Sequence, residues 1–361
     1  MKRLIVFAPN VGVGGGAVLL SAILANLGRT RDLLLYLDER GAHQFEVPDN
    51  AALFWCRPAF RSRLAAERHL SAAATADDII FCFHNLPPIF PVACKVICYV
   101  HNSNLVGLIP SSHLAGWVRL RIAIERVIAR GFRHRVDRYL VQTPTMARAL
   151  ARWYGCAAPG KVVPSIDILP FVDPQAMPAP PTSIQGLIRW DFLYVSDGAI
   201  NKNHARLFEA WTLLAKEGLF PSLAVTLHPE RDLALRDKLA SLKDEFGLAI
   251  VDLGQMAHAE VLKQYRAARA LFFASYAESF GIPLLEAQAA GLPIIAAELD
   301  FVRDMCTPIE SFDPYSPISM ARAVKRFMKL GSDAITPLTP EQFVQKLIAI
   351  EASHTEISTG K

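Results

Sequence analysis

Short apolar runs of four or five residues alternate along this chain with stretches of helical periodicity, and no other feature limits the fold as strongly. The runs fall at 4–8, 33–37, 79–83, 96–100 and 139–142, then at 192–195, 223–227, 250–253, 270–274 and 293–296. A strand buried on both faces reads as a continuous apolar run, and strands alternating with helices imply α/β layering with parallel sheets. Helix starts are marked by Thr143-Pro144, by 279–283 and by Thr339-Pro340, with proline near the first helical position. At 361 residues the chain is long for one domain, and its 52% apolar content excludes disorder. Seven prolines lie between 159 and 181 and predict an interdomain connection. The expected organisation is a first domain over 1–170, a linker over 171–185, a second domain over 186–335, and a helix and tail over 336–361 that can pack back on the first domain.

Residues 1–175 hold 20 Lys and Arg against 12 Asp and Glu, whereas the remainder holds 18 against 22. Such asymmetry points to an anionic partner, membrane or nucleic acid, on one side. The six cysteines form no C-x-x-C pair and predict buried free thiols in a reducing compartment. Lys2 and Arg3 ahead of an apolar stretch imitate a signal peptide, but Pro9 and the glycines at 12 and 14–16 interrupt it. A strand, a glycine loop and a helix over 17–27 explain it better. No apolar stretch reaches the ~18–20 residues of a spanning helix, so a soluble or peripheral protein is expected.

Gly12-Val13-Gly14-Gly15-Gly16-Ala17 fits G-x-G-x-x-A between a strand and a helix, a dinucleotide fingerprint on paper, with Asp38 available as a ribose-binding acid. Three residues separate strand from glycines, which is loose for that motif. The glycines equally suit close approach to a phosphate, a sugar or a neighbouring domain. Glu278 falls in the loop after another strand, Gly281 permits close backbone approach, and Pro283 opens a helix whose first turn carries Glu286. A helix N-terminus suits a phosphate, Glu286 can accept from two vicinal hydroxyls, and Glu278 can meet a polyol at the other end of the same ligand. The competing reading is that first-turn acids only complement the helix dipole.

The segment Glu278-Ser279-Phe280-Gly281-Ile282-Pro283-Leu284-Leu285-Glu286, followed by Ala290-Gly291-Leu292-Pro293, resembles the E-x7-E region of the retaining GT-B glycosyltransferases of family 4. Ser279 replaces the usual first glycine. Leu253-Gly254-Gln255-Met256 resembles the loop that contacts the base. The resemblance implies two Rossmann-like domains with parallel sheets facing a central cleft. It assigns Glu286 to the nucleotide ribose, Glu278 with the amides of Phe280 and Gly281 to the donor sugar, and Leu285 and the helix start to the diphosphate. Gly14, Gly15, Gly16, Met256 and Ser279 complete the expected donor site. The loop 194–204 resembles the family's G-R-x-x-x-x-K-N loop: Lys202 matches, but Asp197 stands in place of the arginine and Ser196 in place of the glycine. An acid beside a diphosphate is repulsive unless it turns away, so Lys202 acts with helix N-termini alone or with a basic residue from elsewhere. Asn203 and His204 are expected to cap the following helix.

His84 and His101 both follow strands, and His101 resembles a cleft histidine that contacts the donor sugar. A histidine there positions hydroxyls or shuttles a proton near neutral pH. The segment 117–139 carries seven arginines against Glu125 and Asp137, with apolar residues between them. It reads as an amphipathic helix, either packed inward with a solvated charged face or set on an anionic bilayer through Arg119, Arg126, Arg130 and Arg133. No nucleic-acid motif accompanies it.

The expected activity is transfer of a hexose from a nucleotide diphosphate sugar to a saccharide or lipid-linked acceptor. The expected setting is cell-surface polysaccharide or lipopolysaccharide assembly, in the cytoplasm or on the inner face of its membrane. Catalytic roles fall to Lys202, Glu278 and His101. No D-x-D motif occurs, and neither metal nor other cofactor is expected. A nucleotide-sugar epimerase, an NAD-dependent enzyme and a non-catalytic membrane-surface protein are the competing readings.

Overall fold

The computed structural model describes residues 3–27, 32–109, 116–155, 164–171, 177–178 and 188–330. The expected helix and tail over 336–361, the Thr339-Pro340 helix start, Cys156 and most of the 171–185 linker lie outside them.

The first sheet has seven parallel strands: β1 (Leu4–Ala8), β2 (Leu33–Asp38), β3 (Ala51–Cys56), β4 (Ile79–Cys82), β5 (Lys95–Val100), β6 (Arg138–Val141) and β7 (Ser165–Ile168). Their spatial order is β3-β2-β1-β4-β5-β6-β7. Between them run α1 (Gly15–Asn26), α2 (Phe60–Ala73), α3 (Gly116–Phe132) and α4 (Pro144–Tyr154). One face buries Phe7, Tyr36, Ile80, Cys98 and Tyr139, and the other buries Val6, Leu20, Leu35, Phe83 and Tyr99. Burial on both faces is what fills the central strands with apolar residues along most of their length. Thr143 caps α4, accepting from Met146 N at 3.2 Å ahead of Pro144, as the sequence predicts.

The second sheet has six parallel strands in the order β10-β9-β8-β11-β12-β13. They are β8 (Trp190–Tyr194), β9 (Leu223–Val225), β10 (Ile250–Asp252), β11 (Ala268–Phe273), β12 (Ile294–Ala297) and β13 (Glu310–Phe312). The intervening helices are α5 (His204–Lys216), α6 (Leu233–Phe246), α7 (His258–Arg266), α8 (Ile282–Ala289) and α9 (Asp300–Met305), with α10 (Pro317–Met328) last. Phe192, Trp211 and Phe272 pack edge to face in its core.

The two α/β halves meet where α4 approaches α9: Thr145 N donates to Asp304 at 2.8 Å and Arg148 reaches Asp300 at 3.1 Å. Ile109, Tyr276 and Ala277 form a small apolar cluster beside them.

Three strands are not among the predicted ones: β7 and β13, which lack a continuous apolar run, and β3, whose run is apolar throughout but half exposed. Each is at a sheet edge, and β7 lies inside the proline-dense stretch expected to be connection alone. An edge strand tolerates nearby proline because one of its sides makes no ladder bonds.

Candidate active site

Open parallel sheets leave a crevice at the carboxyl ends of neighbouring strands whose connections run to opposite sides. In the second sheet those strands are β8 and β11. The lysine loop follows β8 and the Glu278 loop follows β11, so residues 76 positions apart meet: Lys202 Nζ donates to Glu278 Oε1 at 2.6 Å. Ser275 Oγ, fully buried, donates to the same oxygen at 2.6 Å. Asn201 ties the two loops, its Nδ2 donating to Ala277 O at 2.8 Å while its carbonyl accepts from Tyr276 N at 3.0 Å. The Tyr194 hydroxyl donates to Lys202 O at 2.7 Å, fixing the backbone under the ammonium. Burial lowers the affinity of the Lys202 amine for its proton, but the charge and hydrogen bond of Glu278, with Asp197 adding, outweigh it and raise the pKa. Asp197 is exposed, and its Oδ1 accepts from Ala199 N at 3.3 Å.

Asn203 does not cap α5 as expected. Its backbone is left-handed (φ 64) and its side chain instead donates to Ala274 O and Pro314 O, at 3.2 and 2.7 Å. A left-handed residue points its side chain away from the helix amides and frees it to staple two loops. His204 opens α5 fully packed against Tyr194.

Gly281 precedes α8 in the left-handed region (φ 76), and Pro283 sits in its first turn. Glu286 is the fifth helical residue, so it lies one turn deeper than predicted and is 4% exposed. Its oxygens are both engaged: Tyr265 OH donates to Oε2 at 2.7 Å, and His258 Nε2 lies 2.6 Å from Oε1. No sequence motif marks His258 or Tyr265; both come from α7, which only the fold brings against α8. Each carboxylate oxygen keeps a further lone pair for a hydroxyl. Met256, in the turn ahead of α7, and Leu285 are half-buried, Phe280 is buried and Ser279 is half-buried.

In the first sheet the corresponding strands are β1 and β4. Gly14 holds φ 73 and ψ −167, a conformation that favours glycine. Two close approaches account for further glycines. A Cβ on Gly16 would lie 2.9 Å from His101 Cε1, and one on Gly12 would lie 2.9 Å from the Asp38 carboxyl. Asp38 pairs with Arg40 and is fully buried, so it presents no surface to a ribose as the NAD reading expects. Gly15 faces Ile282, where a Cβ would lie 3.7 Å from its Cδ1, so the starts of α1 and α8 approach each other.

His101 stacks on Phe83 at 4.8 Å, and its Nε2 lies 2.9 Å from Phe83 O. A carbonyl only accepts, so Nε2 carries the hydrogen and Nδ1 is left as an acceptor. Burial pushes the imidazole pKa down to about 4, partly offset by that hydrogen bond. His101 is thus neutral at neutral pH and suited to position a hydroxyl, not to the proton shuttling that its residue type alone allows. His84 is buried with Nδ1 3.1 Å from Phe7 O, and burial likewise holds it neutral.

A cavity of ≈ 320 Å³ joins the two switch points, with Asn10, Gly16, His84, His101, Glu278 and Ser279 in its wall. Arg121 and Glu125 of α3 line it as well. Arg121 brings a basic side chain to this cavity wall. Lys202, Gly14, Gly15, Met256, Phe280, Gly281, Leu285 and Glu286 do not line this cavity. Among the described residues no cluster of three His, Cys, Asp or Glu is arranged to hold a metal.

The basic segment forms α3 as expected, but its arginines are spent differently. Arg126 donates to Asn104 O at 2.7 Å and to Leu105 O at 3.2 Å, and Arg133 donates to Tyr154 O at 2.8 Å. Arg130 donates to Trp153 O and stacks on its ring. Three of the four arginines expected at a surface instead fasten the helix to neighbouring backbone, which guanidinium groups do well because of their many donors. Arg119 remains exposed.

The paired switch points and the cleft between two parallel sheets define the GT-B fold. Residues 188–342 match the family model of glycosyl transferases group 1. It is 40% identical over 67 residues to D-inositol 3-phosphate glycosyltransferases of Mycobacterium sp. (strain KMS) and Mycobacterium tuberculosis (strain F11). That match covers 18% of this chain and 15% and 14% of those relatives. Over 91% of this chain and 90% of theirs, it is structurally similar to a sucrose-phosphate synthase from Thermosynechococcus elongatus (TM-score 0.68, 16% identity) and to Anabaena HepE in complex with UDP and glucose (0.66, 18%). It is also similar to the lipopolysaccharide outer core galactosyltransferase WaaB (0.56, 16%), over 91% of each chain. At these identities the structural likeness concerns the fold. Among the described residues no helix is long and apolar enough to cross a membrane.

Proposed function

We propose that this protein transfers a hexose from a nucleotide diphosphate sugar to a hydroxyl of a saccharide or lipid-linked acceptor, with retention at the anomeric carbon. The observation that carries this reading is the Lys202–Glu278 pair at the second switch point, beside the N-terminus of α8. The nucleotide ribose meets Glu286, the diphosphate lies along the start of α8, and the hexose enters the cavity between Glu278 and His101. As the C1–O bond breaks, negative charge grows on the leaving phosphate. Lys202 and the helix amides stabilise it. The acceptor hydroxyl attacks from the same face and passes its proton to that phosphate oxygen, which accounts for retention without a carboxylate nucleophile. The positive charge comes from the chain itself, so the reaction is assigned no metal or other cofactor.

The likeness to HepE, whose crystals hold UDP and glucose, supports UDP as the nucleotide half of the donor. The likeness to WaaB supports a setting in lipopolysaccharide or polysaccharide assembly, for which the cytoplasmic face of the membrane is the proposed place. The experiment is a donor-hydrolysis screen of UDP-, GDP- and dTDP-hexoses, followed by proton NMR of the released sugar before it mutarotates. Release from one donor with α-hexose from an α-donor supports the proposal. Inverted product, or no release from any donor, overturns it.

A further inference from the structure

Helix α3 is inverted relative to an ordinary surface helix. Of its seventeen residues only Ile122 and Ala129 are buried, yet Trp117 (73% exposed), Leu120 (59%), Ile124 (52%) and Val127 (73%) stand in solvent. At ~100° per residue these four fall within roughly 80° of one another on the helix circumference, one continuous stripe. Exposed Arg121 borders the stripe on one side, and Arg119 and Arg130 border it on the other. The helix has one acid, Glu125, and it turns into the cavity instead of the stripe. A large apolar stripe rimmed by charge marks an interaction surface.

We propose that α3 docks the protein on an anionic lipid surface through Trp117, Leu120, Ile124 and Val127. Exposed Arg119 reaches anionic headgroups, in keeping with the excess of eight positive charges in residues 1–175. A second copy of the chain fits less well. Stripe against stripe would set arginine against arginine with no carboxylate on that arc, and four side chains fall far short of the ~20–30 residues a side of a stable interface. Next to the Trp117 side of the stripe, Arg121 and Glu125 line the cavity, and farther round the helix Arg126 fastens it to Asn104 and Leu105. A docked α3 therefore holds the cavity beside the lipid surface, where a membrane-borne acceptor presents its headgroup. This last step rests on the glycosyl-transfer reading; the docking does not.

The test is co-sedimentation of the full chain with phosphatidylcholine vesicles, with and without phosphatidylglycerol, alongside titration with UDP in the same preparations. Wild-type protein is expected to bind the anionic vesicles. The Trp117→Gln/Leu120→Gln/Ile124→Gln/Val127→Gln variant, altered only at exposed positions, is expected to lose at least ~10-fold in partition, since each buried methylene counts. Arg119→Gln is expected to bind more weakly, most visibly at low salt. Absence of wild-type binding, equal binding by the stripe variant, or a monomer–dimer equilibrium abolished by that variant would each overturn the docking. Nucleotide titration reads the donor site separately, so failure of wild-type protein to bind vesicles while it still binds nucleotide overturns only the docking.

Discussion

Lys202 Nζ lies 2.6 Å from Glu278 Oε1, and both side chains are less than a quarter exposed. Each group holds the other in place, and Glu278 keeps Lys202 in its charged form. Lys202→Ala leaves a nearly buried carboxylate without its partner, a loss of about 3–5 kcal/mol for buried pairs. Thermal unfolding of Lys202→Ala should show a clear fall in Tm, and the Lys202→Met/Glu278→Gln pair should recover most of it. Turnover should drop ~10²–10³-fold in both variants, because the charge on the leaving group is unmet in each. Recovery of turnover in the double variant would separate Lys202 from the chemistry.

Glu286 is held by Tyr265 at 2.7 Å. Tyr265→Phe removes one hydrogen bond to a charged group, worth about 1.5–3 kcal/mol, and lets the carboxylate rotate. Nucleotide affinity should fall about 10-fold by calorimetry, with kcat at saturating donor little changed. An equal fall in kcat would place Glu286 at the reacting centre instead.

Three buried histidines, His84, His101 and His204, contribute to the acid limb of stability. Burial lowers His101 to about 4 and His204 to about 3, from an ordinary 6.5. Their folded values are depressed, so the unfolded chain binds more protons between pH 6.5 and 4. Stability is therefore full above pH 6.5 and falls as pH drops toward 4, by up to ~1.4 kcal/mol per pH unit for each histidine. Urea midpoints across this range should show that slope, and His204→Phe should make it shallower. Activity between pH 6.5 and 8 should show no ionisation belonging to His101.

Gly16 and Gly131 make a contrasting pair. Glycine to alanine within a helix ordinarily gains about 0.5–1 kcal/mol. A Cβ on Gly131 meets nothing within 4 Å, whereas one on Gly16 meets His101 Cε1 at 2.9 Å. Gly131→Ala should raise Tm with unchanged turnover. Gly16→Ala should displace His101 and lower kcat/KM several-fold, visible in steady-state kinetics.

Central strands and loop motifs are legible in the sequence because burial and backbone geometry leave marks on residue type. Strands β1, β5 and β11 are apolar on both faces, and Gly281 with Pro283 marks the start of α8. The edge strands β7 and β13 carry mixed patterns because one side of each meets solvent, whereas β3 is apolar throughout although half of it is exposed. His258 and Tyr265 are invisible in the sequence as partners of Glu286, since 28 and 21 positions of chain separate them from it and only packing of α7 on α8 joins them. Arginine in α3 is legible as charge but not as anchorage, which depends on the carbonyls of residues 104, 105, 153 and 154.

The most direct measurement is calorimetric titration of wild-type protein and Glu286→Ala with UDP, GDP and dTDP. Saturable binding of one nucleotide by wild type, weakened at least ~10-fold in Glu286→Ala, is the predicted result. Binding of none of the three, or the same affinity in both proteins, would contradict a nucleotide-sugar donor site at α8.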